Sequence, residues 1–189
     1  MQVTSKETYK VVREMLLSKK FKQYRIAKDT GVTFSLVNRI VNWFVSRGFV
    51  AKRTGFYELI AAGAVFNLFP LYRKMKPTAV FDVDLPQKEL LSMVKRKGVL
   101  CLTSALSFYD DYYRDPAVYL YLKDEKLFDE LKRLPKGYTR VEVFKEDLNA
   151  NDFEKKNDQL VTSKIRTVID LFCAGKAYAA ERLIKREWG

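Results

Sequence analysis

The chain has 189 residues, 48% of them hydrophobic and 31% charged, with 35 Lys and Arg against 23 Asp and Glu. That composition belongs to a folded chain, and the length allows one domain or two small ones. With no histidine and only Cys101 and Cys173, the Ser-His-Asp triad, the Cys-His pair, His-based zinc sites and a disulfide framework are all excluded.

The first sixty residues hold 12 Lys/Arg and 4 Asp/Glu, a net charge of +8, whereas residues 61–189 hold 23 and 19, a net +4. A compact positive segment attracts polyanions, of which nucleic acid is the commonest. Tyr9, Val12, Met15 and Leu16 recur at helical spacing between about Ser5 and Lys19. A second short helix is expected over Tyr24 to Thr30, with Ile26 and Ala27 turned inward and Gly31 ending it. Thr33 is the N-cap candidate of a third helix, Phe34 to about Arg47, which stops at Gly48. Phe49 to Arg53 and Phe56 to Ile60 then read as a hairpin turning at Thr54-Gly55. Helix, helix, glycine turn, helix and hairpin is the order of a winged helix-turn-helix.

At about 100° per residue, the third helix places Val37, Ile40, Val41 and Phe44 on one face and Ser35, Asn38, Arg39, Asn42 and Ser46 on the opposite arc. Asn matches the edge of adenine and Arg that of guanine, each in a bidentate way. No acidic residue occurs from Val32 to Phe56, as suits a surface facing phosphates. Asn38, Arg39 and Asn42 are therefore the candidate base readers. Thr33 and Ser35 are candidates for phosphate or base contact. Lys52 and Arg53 on the wing, with Lys22 and Arg25 before the turn, are the phosphate candidates. Trp43 lies at the edge of the apolar face and suits packing. The same core pattern would also serve a winged helix used for protein contacts.

Residues 61–77 read as a connecting helix interrupted at Pro70. Beyond it a small mixed α/β domain is expected, with three or four strands. Its expected elements are a strand over Thr78 to Val83, a helix over Pro86 to Lys97 and a helix capped by Thr103 running to Tyr112. A doubly covered strand follows over Ala117 to Leu122, then a helix capped by Asp124. Thr139 to Phe144 alternates as a strand with one wet face. Two final helices start at about Ser163 and Lys176, separated by Gly175. Arg166 and Asp170 stand four apart and can pair across one helical turn, worth a few tenths of a kcal/mol on an open surface. The tyrosines at 109, 112, 113, 119 and 121 suit core and interface packing.

Three segments of this half carry a family likeness. They are Val99 to Leu106 with Thr103-Ser104, then Asp115-Pro116-Ala117-Val118-Tyr119-Leu120-Tyr121, then Val161 to Leu171 with Arg166-Thr167 and Asp170. With Gly175 and Ala179-Ala180-Glu181-Arg182-Leu183, this stretch of roughly 99–185 resembles the AbiEi-type antitoxins and their archaeal relatives. The resemblance implies a transcriptional regulator with an N-terminal winged helix, often the antitoxin of a type IV toxin–antitoxin pair. It implies autorepression through the winged helix. It also implies a functional link to a nucleotidyltransferase-like toxin without a stable complex. The C-terminal domain would be nucleotidyltransferase-like but not catalytic, with Thr103, Ser104, Arg166, Thr167 and Asp170 as its family motif.

An enzymatic alternative rests on Asp82 and Asp84, an Asp-x-Asp on an expected strand whose carboxylates could share a divalent metal. The Gly-Ser turn that nucleotidyltransferases place upstream is missing, and no Walker loop or dinucleotide fingerprint occurs. No cofactor is expected. No apolar run approaches the ~20 residues of a membrane span. The N-terminus lacks the apolar core of a signal peptide. Two isolated cysteines suit a reducing compartment, so a cytoplasmic protein without a membrane partner is expected. The expected fold is α+β: a winged helix-turn-helix over 1–60, a connecting helix over 61–77 and a regulatory α/β domain over 78–189. The expected function is sequence-specific binding of double-stranded operator or promoter DNA.

Overall fold

A computed structural model of the protein describes residues 1–148 and 152–189. The fold is mixed α/β and divides into two compact units, Met1–Arg73 with Ile184–Gly189, and Lys74–Leu183. The last six residues, expected in the second domain, group with the first.

In the first unit, α1 (Lys6–Ser18) is followed by a two-residue strand, β1 (Lys20–Phe21), then α2 (Gln23–Thr30) and α3 (Phe34–Ser46). The hairpin β2 (Val50–Arg53) and β3 (Phe56–Leu59) completes a three-stranded antiparallel sheet in the order β1-β3-β2. Tyr9, Val12, Met15 and Leu16 of α1 are buried, as are Ile26 of α2 and Val37, Ile40, Val41 and Phe44 of α3. Each such side chain contributes roughly 1.5–3 kcal/mol when fully removed from water. Those four α3 residues are the face expected from helical periodicity. The α2–α3 turn needs Gly31, whose φ of 68° lies where a Cβ is disfavoured. Thr30 ties the turn, its hydroxyl donating to the Ile26 carbonyl at 2.6 Å.

The expected connecting helix is instead two short pieces, α4 (Ala62–Phe66) and a 3-10 turn over Phe69–Leu71, with Pro70 inside the turn. Phe66 packs edge-on against Trp188, whose indole N–H donates to the Leu16 carbonyl at 2.8 Å. These contacts hold the C-terminal residues in the first unit.

The second unit is built on a six-stranded sheet, more than the three or four strands expected. Its strands are β4 (Ala79–Val83), β5 (Gly98–Leu100), β6 (Val118–Leu122), β7 (Thr139–Phe144), β8 (Phe153–Lys156) and β9 (Gln159–Thr162), in the order β4-β7-β6-β5-β9-β8. Leu100, Val118, Leu120, Val141, Val143 and Val161 share one core cluster with Leu90 and Val94 of α5 (Gln87–Val94) and Leu127 and Leu131 of α7 (Glu125–Arg133). The alternate residues of β6, Tyr119 and Tyr121, turn to the other face, where side chains of α8 (Lys164–Cys173) and Lys176 meet them. Gly137 is required by close approach, since a Cβ there would lie 2.3 Å from the Asp84 Cα.

Thr103 does not cap the helix expected to start there. Cys101 holds the N-cap position of α6 (Leu102–Leu106), and the Thr103 hydroxyl turns to Asp115. The helix also stops six residues short of Tyr112. Asp124 and Ser163 do cap their helices, accepting from the backbone N–H of Lys126 and Arg166. The chain ends in α9 (Glu181–Trp188) after a 3-10 turn over Ala177–Ala180. No helix among the described residues is long and apolar enough to cross a membrane.

Candidate functional site

The outward face of α3 presents Ser35, Arg39, Asn42 and Ser46 to solvent, with Asn38 half-buried at its base. Periodicity alone dictates this, because burying Val37, Ile40, Val41 and Phe44 leaves the opposite arc exposed. Thr33 occupies the N-cap position and is exposed, but its side chain makes no cap bond. Its carbonyl starts the helix instead, accepting from the Val37 N–H at 3.0 Å. Trp43 lies edge-on to Phe44 and Phe49, with the Arg47 guanidinium 5.3 Å above its ring. Its indole is thereby used in packing.

Three amides run in a line across the α2–α3 pair. Asn42 Nδ2 donates to Asn38 Oδ1 at 2.9 Å, and Asn38 Nδ2 donates to Gln23 Oε1 at 3.1 Å. Gln23 is 8% exposed, and its Nε2 is buried without a hydrogen-bond partner. Helical spacing marks the two asparagines but not Gln23. The contact spans 15 residues, and no local spacing marks it.

The cations around this face differ in availability. Arg39, Lys22 and Lys52 are exposed and have no ion-pair partner among the described residues. Arg25 is paired with Asp29 at 3.2 Å. Arg53 reaches Glu58 at 3.0 Å, and Lys20 reaches the same carboxylate at 3.4 Å. The bond from Arg53 holds the Glu58 carboxyl below its usual range, overcoming a smaller opposing effect of burial. Both acids lie just outside the acid-free stretch. Asp29 could have been found from its i,i+4 spacing to Arg25. Glu58 sits opposite Ala51 in the hairpin register, diagonal to Arg53.

In the second unit Arg166 and Asp170 belong to one internal network and Thr103 and Ser104 to another. Arg166 is 1% exposed and Asp170 0%. Arg166 Nε donates to Asp170 Oδ1 at 2.8 Å, and its Nη2 donates to the Tyr121 hydroxyl at 3.0 Å and to Asp147 Oδ1 at 3.3 Å. Tyr121 in turn donates to Asp170 Oδ2 at 2.9 Å. The pair expected on an open surface is thus buried, because α8 turns this side toward the sheet. Thr167 ties the helix start to β9, its hydroxyl lying 2.9 Å from the Ser163 carbonyl and 2.7 Å from the Thr162 hydroxyl.

The second network holds the loop before β6. Thr103 Oγ1, Tyr119 OH and Lys176 Nζ each lie 3.1 Å from Asp115 Oδ2, and the Ala117 N–H donates to the other carboxylate oxygen at 3.0 Å. Ser104 Oγ accepts from the Tyr119 N–H at 2.9 Å. Burial alone would raise the Asp115 pKa, but the Ala117 N–H and Lys176 outweigh it and the carboxyl titrates below its ordinary value. Burial likewise opposes the charge on Lys176, yet its bonds to Tyr119 and Asp115 prevail and its pKa is raised. Leu102, which opens α6, has a φ of 49°, a conformation costing a branched residue roughly 1–2 kcal/mol.

Asp82 and Asp84 are both exposed, Asp82 on β4 opposite Arg140 of β7 and Asp84 beyond the strand end. Among the described residues no group of three His, Cys, Asp or Glu side chains is arranged to hold a metal ion. Comparisons with protein-family models, with curated proteins and with solved structures find no match.

Proposed function

We propose that the first unit is a winged helix-turn-helix that binds duplex DNA, and that the chain is a site-specific transcriptional regulator. The observation that carries this reading is the outward face of α3, where exposed Ser35, Arg39 and Asn42 stand in a segment free of acids from Val32 to Phe56. On this reading α2, the Gly31 turn and α3 form the helix-turn-helix, with α3 in the major groove. The β2–β3 hairpin is the wing, and Lys52 and Lys22 hold phosphates. Arg25 and Arg53 can join them through their terminal guanidinium nitrogens, with part of their charge already offset by Asp29 and Glu58.

The resemblance of residues 99–185 to AbiEi-type antitoxins supports an autorepressor, with the second unit opposing a nucleotidyltransferase-like toxin without a stable complex. The reading assigns the second unit no catalytic step, since Arg166 and Asp170 bond to each other and Thr103 bonds to Asp115 within the fold.

The test is binding to the DNA upstream of its own gene against scrambled DNA of equal length across a salt series. A preference of about a hundredfold surviving at roughly 150–200 mM salt is expected of a specific regulator. Equal binding to both fragments that fades over the same range would reject this function and favour a protein-binding role for the first unit.

A further inference from the structure

The line of amides on α2 and α3 divides labour between two asparagines that the sequence treats alike. An amide side chain offers two donors on nitrogen and two lone pairs on oxygen. Asn38 is half-buried and engaged at both ends, its nitrogen by Gln23 and its oxygen by Asn42. Asn42 is exposed and engaged only through one amide hydrogen, so its whole carbonyl oxygen and its second hydrogen remain for a ligand.

We infer that Asn42 reads an adenine in the major groove, and that Asn38 and buried Gln23 act as positioning residues that fix which end of the Asn42 amide faces the base. This rests on the DNA-binding reading above and adds to it one base pair and a polarity. The polarity follows from the bonds. Gln23 presents oxygen to Asn38, which forces Asn38 to present oxygen to Asn42, which commits one Asn42 hydrogen inward. The group left outermost is an acceptor beside a donor. Adenine offers the complement, its N6 amino group and its N7. Guanine presents two acceptors on that edge and leaves the Asn42 oxygen without a donor. Gln23 is 8% exposed and its Nε2 has no hydrogen-bond partner, so the bond its Oε1 accepts from Asn38 is the one its amide makes.

The experiment is selection from a randomised duplex DNA pool by the full-length protein and three variants: Asn42→Ala, Gln23→Leu and Gln23→Glu. The wild type is expected to enrich a site containing an A·T pair. Asn42→Ala should lower preference at that pair about 10–100-fold and leave the other positions unchanged. Gln23→Leu removes the acceptor while filling the same space, and should relax the same pair with no fall in thermal midpoint. Gln23→Glu keeps an oxygen toward Asn38 and should retain the preference, even if the added charge weakens binding to all sequences alike. A merely structural role for Gln23 would instead lower the midpoint or weaken every position together.

An intact preference in Asn42→Ala, or relaxation at a G·C pair, overturns the assignment of Asn42. Relaxation in Asn42→Ala but not in Gln23→Leu overturns the positioning role. A wild-type protein that enriches no sequence overturns the DNA-binding reading itself, a result distinct from the other two.

Discussion

Arg39 and Arg166 lie in helices that pack apolar stripes on the same period, yet they are used in opposite ways. Arg39 on α3 is exposed, without an acidic partner among the described residues. Arg166 on α8 is 1% exposed and bonded to Asp170, Tyr121 and Asp147. The first leaves its charge open to solvent; the second spends it within the fold. The same contrast holds between the Asn38–Asn42 face and the Asp115–Tyr119–Lys176 cluster. A charged residue belongs to a binding surface only when the fold leaves it unspent.

The largest effect expected from this contrast is on stability. Arg166→Ala should destabilise the protein by roughly 3–5 kcal/mol, because it strands the buried Asp170 carboxylate. Urea unfolding of the variant measures this, and a loss under about 1 kcal/mol would break the distinction. Replacing both partners, Arg166→Met with Asp170→Leu, should cost less than either single change, since no charge is then left alone.

Arg39→Ala should do the reverse. Folding stability stays within about 0.5 kcal/mol, while discrimination at one base pair falls by ~1–3 kcal/mol. Competition binding against single-base variants of the selected site reads this, and equal losses on all sequences would remove Arg39 from base reading.

A pH series probes the second network. The Asp115 carboxyl titrates below its unfolded value of 3.8, so its contribution is fully present above that value and is lost as pH falls through the lower, folded one. Asp115→Asn should therefore flatten the acid limb of the stability curve. Urea midpoints between about pH 6 and about pH 2 follow it, and an unchanged limb would show the network to be inert.

The smallest effects separate the two cations of the β2–β3 hairpin. Lys52→Ala should weaken all DNA sequences alike and reduce the salt slope by about one. Arg53→Ala should change it less, because Arg53 is already paired with Glu58 at 3.0 Å. Equal slopes for the two variants would erase that distinction.

Much of the first unit is legible in the chain. Tyr9, Val12 and Leu16 mark α1, Gly31 its neighbour's end, and Val37, Ile40, Val41 and Phe44 the buried side of α3, because helical period and local turn chemistry are short-range properties. In the second unit β5 is only three residues long and β8 reads Phe-Glu-Lys-Lys. Neither carries an apolar alternation; β5 depends on β6 and β9, both distant in sequence, for its hydrogen bonds, whereas β8 pairs with β9 in a local hairpin. The charged sequence of β8 suits the edge it occupies.

The candidate site divides along the same line. Which α3 residues face outward follows from the order of side chains along one helix, so Arg39 and Asn42 could be named without coordinates. Whether a named cation is free, and which asparagine is already engaged, depends on groups brought close by folding: Glu58 to Arg53 across a hairpin, Gln23 to Asn38 over 15 residues, Tyr121 to Arg166 over 45. Periodicity is set by the backbone's own geometry. Partnership is set by distances of about 3 Å between side chains, and only the packed chain establishes those.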